Sequence, residues 1–141
     1  LVQFHQQFED GLGSGGRVVD GRQALAQLGQ LALAVELAGL SIWRHDLRSN
    51  RLHYNPRGFE VLGLPYRPEG LALEELRALT HPADVPAVIA GAQRTLETGQ
   101  PTTVQARYRR SDGSWRHAVM RRALQRDAEG RPVAFLGVAM D

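Results

Sequence analysis

The chain has 141 residues, 43% of them apolar and 23% charged, enough for one domain with a hydrophobic core and outside the compositions that stay unfolded. Its 17 basic residues are all arginine and face 15 acids, leaving a formal charge of only +2, too small an excess to hold a nucleic acid by charge alone. Cysteine is absent, which excludes disulfides, thiolate metal sites and cysteine nucleophiles.

Residues 1–19 read as a leader or upstream linker, in which Phe4 and Phe8 stand at helical spacing before GLGSGG at 11–16 makes a flexible joint. After Asp20, a residue type that caps helices, Leu25, Leu28, Ala32 and Val35 recur at three- and four-residue steps. They predict a flanking amphipathic helix over 20–38, ending near Gly39. The domain proper is expected over 39–141. Residues 40–47 and 51–55 alternate around Arg48-Ser49-Asn50 and predict a hairpin. Residues 57–64, with Phe59, Val61 and Leu62, predict a short helix stopped by Gly63 and Pro65, and another is predicted over 73–79.

The clearest helix follows HPAD at 81–84: Val85, Val88, Ile89, Ala92 and Leu96 form one stripe, Pro82 and Pro86 fit its start, and Gly99 closes it. Three strands are predicted over 102–110, 114–125 and 131–140, joined at Asp112-Gly113 and at 127–130 into an antiparallel meander. The string is α+β, with helices on one face of an antiparallel sheet.

No catalytic constellation emerges. His81 and Asp84 tempt as an acid–base pair, and a small enzyme using them is a rival reading, but His-Pro-x-Asp at a helix start is explained by capping. His45, Asp46 and His53 have no Ser or Cys arrangement for a triad. Five histidines without ligand-like spacing predict no metal site. On the strand over 102–110, Val104, Ala106 and Tyr108 alternate with Gln105, Arg107 and Arg109, so these arginines are expected on a wet sheet face. That face lacks the aromatic residues that stack bases, and no nucleic-acid partner is expected.

Taken in order, GLSIWRHDL (39–47), RLHYNP (51–56), FEVLG (59–63), HPAD (81–84), RYRRSDG (107–113) with Trp115, DAEG (127–130) and GVAMD (137–141) resemble a PAS domain. The likeness is to the subgroup with HPxD and RxRxxDG motifs. It covers about 40–141, with 20–38 matching the flanking helix in position. It implies a five-stranded antiparallel sheet with helices on one face, enclosing a small pocket or a solid core. It further implies a sensory module of a larger signalling protein of histidine kinase or diguanylate cyclase type, not an enzyme itself. Asp141 matches the aspartate where the last strand leaves for a C-terminal effector, so it is the expected signal exit.

For the pocket, the expected wall is Trp43, Phe59, Leu62, Val88, Ala92, Tyr108, His117 and Leu136, an apolar chamber suited to a small organic or lipid-like molecule. A filled core without ligand, serving dimerisation alone, is the alternative. The Leu25, Leu28, Ala32, Val35 stripe is the expected homodimer surface. A cysteinyl-flavin adduct is excluded by the missing Cys. Haem is disfavoured because the helix after Asp84 has no His. A non-covalent flavin stays open, and no cofactor is the leading expectation. With no bilayer-length apolar run and no basic, apolar, small-residue secretion signal visible, the expected location is cytoplasmic, within a parent protein that could itself be membrane-anchored.

Overall fold

The computed structural model of the chain describes residues 21–140. The linker expected over 1–19, the Asp20 cap and the Asp141 exit lie outside the described residues. The first element is α1 (Gly21–Leu37), followed by β1 (Ser41–Asp46) and β2 (Arg51–Tyr54). Between them Asp46 Oδ1 accepts the Arg48 and Ser49 amides, and Asn50 takes the left-handed conformation that closes the turn, at φ 55°.

Helix α2 (Pro56–Leu62) starts with Pro at its first position and stops at Gly63, whose φ of 71° a side chain would resist. Next come β3 (Leu71–Ala72), α3 (Leu73–Leu79) and α4 (Val85–Thr98). The meander is β4 (Thr102–Arg109), β5 (Trp115–Arg126) and β6 (Pro132–Met140). Its tight turns are set by acids: Asp112 Oδ1 accepts the Ser114 amide, and Asp127 Oδ1 accepts those of Glu129 and Arg131.

One antiparallel sheet runs in the order β3-β2-β1-β6-β5-β4. It has six strands rather than five. The extra one is β3, which pairs Leu71 with Leu52 and Ala72 with Arg51; two residues are too few to show an alternation.

Register fixes which side chains share a face. Trp43 lies opposite both Tyr54 and Gly137, and Gly137 lies opposite Arg122, so one cross-strand row runs Tyr54, Trp43, Gly137, Arg122. On this inner face Leu52, Ala106, Tyr108, Ala118, Met120, Phe135 and Ala139 are buried with Phe59, Leu62 and Leu76 from the helices. Burial of each large apolar side chain stabilises the fold by roughly 1.5–3 kcal/mol. Val88 and Ala92 of α4 pack against this cluster. Close approach of α4 to β4 is fixed by Thr102, whose hydroxyl bonds the Gly91 carbonyl at 3.0 Å and the buried Thr95 hydroxyl at 2.8 Å. The other helix, α1, lies apart from this cluster and borders Ile42 and Val138, an outer-face pair in the register.

Candidate functional site

The inner face and α4 enclose a chamber of about 60 Å³, walled by Trp43, His45, Tyr54, Val88, Tyr108 and Arg122 among others. Arg122 comes from β5, where Ala118, Met120, Arg122 and Leu124 alternate on the inner side; it is only 8% exposed. Its guanidinium lies 5.6 Å from the Trp43 ring and 5.0 Å from that of Phe135, geometry for cation–π attraction. Nη1 donates to the Val88 carbonyl at 3.2 Å. Burial pulls its pKa below the ordinary arginine value, while Tyr108 and Tyr54 oppose the fall.

Trp43, 3% exposed, stacks its indole across Gly137. A Cβ at that position would collide with Trp43 Cε2 and Cζ2, so the bare backbone is what lets the ring lie flat. The indole N–H is buried without an acceptor. Tyr108 donates its hydroxyl to Met120 Sδ at 2.8 Å, a weak acceptor, and burial raises its pKa. Tyr54 is likewise raised by burial. His45 is lowered, first by burial; its bond to Asn50 opposes this, and Arg122 and Arg77 add to the lowering.

Of the eight side chains expected in the wall, Trp43, Val88, Ala92 and Tyr108 line the chamber, while Phe59 and Leu62 are buried in the adjoining cluster and do not reach it. His117 and Leu136 do not join them. His117 is exposed, opposite Arg107 on the outer face, and Leu136 is half-buried opposite Arg44 and Ala123. A one-residue offset in a strand reverses the face, and their neighbours Ala118 and Phe135 hold the inner positions. The chamber is also smaller and more polar than an apolar pocket, because Arg122 is inside it. The Ala118, Met120, Leu124 alternation was the signal that could have placed Arg122 there.

Asp84 does not cap α4 with its side chain. Its carboxylate instead clamps β4: Oδ2 accepts the Arg107 amide at 2.8 Å and Nε at 2.9 Å, and Oδ1 accepts Nη2 at 2.9 Å. The His81 amide donates to the Arg107 carbonyl at 2.8 Å. HPAD thus satisfies the open backbone of an edge strand. His81 Nδ1 accepts the Ala83 amide, and its ring lies tilted against that of Trp115, centroids 4.6 Å apart. With Asp84 committed to Arg107, the pair has no acid–base geometry.

A second cavity, about 720 Å³, opens on the outer side between α1 and the sheet, lined by Leu28, Leu31, Ala32, Val35, Ile42 and Val138 among others. Leu28, Ala32 and Val35 of the expected stripe are half-buried there, whereas Leu25 is 59% exposed and Leu37 78%. Asn55, which the sequence did not single out, joins the two regions. Its side chain donates to the Leu40 carbonyl at 2.8 Å and accepts the Ile42 amide at 3.1 Å and the Gly58 amide at 2.9 Å. It caps α2 while fixing the passage from α1 into β1. Among the described residues no cluster of His, Asp and Glu could hold a metal ion, and no helix is long and apolar enough to cross a membrane.

A family model described as "PAS fold" matches residues 51–139. No curated protein matches the chain. Among solved structures the chain is similar to a sensory box histidine kinase/response regulator from Burkholderia thailandensis, with 24% identity and TM-score 0.66 over 79% of this chain and 83% of that one. It is also similar to the N-terminal domain of a diguanylate cyclase with PAS/PAC sensor from Marinobacter aquaeolei, with 20% identity and TM-score 0.64 over 72% and 94%. A light-oxygen-voltage domain, described in terms of a flavin analogue and that domain's mechanism, has 24% identity and TM-score 0.63 over 79% and 83%. At such identities the likeness shows the fold.

Proposed function

This chain belongs to the PAS fold family, and from that premise we propose that it is the sensory and dimerisation module of a larger signalling protein of histidine kinase or diguanylate cyclase type. In this reading residues 39–141 are the sensor and 20–38 the flanking helix that pairs two copies through Leu25, Leu28, Ala32 and Val35. Residues 1–19 are the linker before it, and Asp141 is the exit toward a C-terminal effector. The module is regulatory and does no chemistry itself.

The observation that carries the proposal is in β6. Gly137 meets Trp43 of the chamber, and the next residue, Val138, faces the cavity under α1. A shift of the Trp43 ring would move one strand that borders both regions, and that strand, described to Met140, is followed in sequence by Asp141. An occupant of the chamber biases the module only as far as it binds two packings unequally.

The test is the mass of the full chain in solution by light scattering, with hydrogen exchange of β6 and α1. A dimer is expected, and Leu25→Glu, at the exposed member of the α1 stripe, should dissociate it. A chain that is monomeric at every concentration would remove the dimerisation half of the proposal.

A second reading, a ligand-free interaction domain, is favoured by the chamber's 60 Å³, well below the roughly 300–1,000 Å³ of drug-sized sites. A flavin does not fit a chamber of this volume without a large opening of α4, and the residues present include no Cys to bond one. Thermal-shift screening separates the readings, because an occupant raises Tm with concentration.

A further inference from the structure

The chamber's chemistry is lopsided. Its lining includes Arg122, Arg77 and His45 and no Asp or Glu. A guanidinium has five N–H donors, and Arg122 uses one of them on the Val88 carbonyl. Trp43 and Phe135 offer it ring faces but no lone pair in the plane of the fork. Among the described residues no carboxylate pairs with it, and buried cations are ordinarily paired. The buried Trp43 indole N–H in the same wall has no acceptor either. Tyr108, another wall residue, spends its hydroxyl proton on a thioether.

Unmet donors, a buried positive charge and a small, partly enclosed volume of about 60 Å³ all call for one kind of occupant: an acceptor-only group, negatively charged, flat and of few atoms. We propose that the chamber binds a small planar oxyanion, held in a two-point pair by the Arg122 guanidinium. A guanidinium fork matches a carboxylate edge to edge, and formate, acetate, bicarbonate and nitrate all present such an edge within the available volume. The Tyr108 hydroxyl can turn from Met120 to the same occupant. The inference rests on reading the chamber as the sensor's ligand site, and it narrows the ligand from an apolar molecule to an anion.

The experiment uses the full chain carrying Trp115→Phe, which leaves Trp43 as the only tryptophan and alters a half-exposed residue away from the chamber. Sodium formate, acetate, bicarbonate and nitrate are titrated at constant ionic strength balanced with sulfate, and acetamide serves as the uncharged match to acetate. Trp43 fluorescence and Tm are both read. At least one planar anion is expected to give a saturable response that acetamide and sulfate do not, and which of the four does so names the source. In Arg122→Met the half-saturation concentration should rise by about tenfold or more. A response that never saturates, is equal for acetate and acetamide, or survives Arg122→Met unchanged overturns the inference. If Arg122→Met does not fold, the acetate and acetamide arms decide on the parent chain. Failure of all four anions in a chain that still dimerises through α1 removes the anion alone and leaves the sensory module standing.

Discussion

On its inner face the sheet encloses about 60 Å³ around a buried arginine, while on its outer face it borders about 720 Å³ under an apolar helix. The strands are the same; the difference lies in what covers them. Inside, α4 is drawn close by Gly91 and Thr102, and the rings of Trp43, Tyr54 and Phe59 leave little room; Tyr54 and Phe59 meet edge to face at 5.9 Å. Outside, α1 leans on the sheet through small and branched residues and keeps Leu25, Leu31, Leu33 and Leu37 in the open. Under the proposals above, the tight inner packing with unmet donors would take a small anion and the looser apolar groove beside exposed leucines a second protein surface, with β6 bordering both regions.

Substitutions can break or sharpen this contrast. Gly137→Val should have the largest effect: its side chain would occupy the space of the Trp43 ring, costing about 3 kcal/mol or more by overpacking. Chemical denaturation measures this, and a neutral result would mean that Trp43 does not lie across β6. Asn55→Ala should cost about 2–3 kcal/mol, since it removes a helix cap and strands the Leu40 carbonyl and Ile42 amide. Its loss should also speed exchange at the α1–β1 junction more than in α4, which would show that the outer region is tethered through this one side chain.

Asp84→Asn ranks third, with a Tm loss on the order of 3–6 °C at pH 7. The Arg107 guanidinium, then its amide, hold the Asp84 pKa down at about 2 from an ordinary 3.8. A depressed folded-state pKa means the stabilisation is complete above the unfolded value and fades as pH falls from 3.8 toward 2. Melting curves of wild type and Asp84→Asn should therefore converge near pH 2; a gap that persists there would show that the clamp acts by shape and not by charge. Smallest in stability is Leu25→Glu, within about 0.5 kcal/mol because its side chain is already 59% exposed, yet with loss of self-association. A large destabilisation would mean that α1 belongs to the fold core.

Much of the fold was legible locally. The Asp112-Gly113 turn, the alternation of Val104, Ala106 and Tyr108 and most of the α4 stripe are short-range patterns that the structure keeps, although Leu96 at the end of that stripe is exposed and Thr95 is buried beside it. Six expected wall residues also meet in one cluster because large apolar side chains on strand and helix have few other places to go. His117 and Leu136 were misassigned by a single residue of phase, and β3 was too short to carry a period. Arg122 follows Arg121 in an arginine-rich strand, and only its phase with Met120 and Leu124 marks it as inward-facing. Asp84 looked like a cap because nothing local announces a partner 23 residues away in Arg107.

By itself the sequence determined most of the elements, their order, the absence of cysteine chemistry and the apolar side of β4, because these follow from nearest-neighbour geometry and composition. Only the tertiary structure decided that Trp43, Gly137 and Arg122 form one row. Their contact depends on the register of β1 on β6 and β6 on β5, pairings between distant segments that no local preference can set. A buried charge beside a bare backbone position is thus a property of the assembled sheet, created when three remote choices of face coincide.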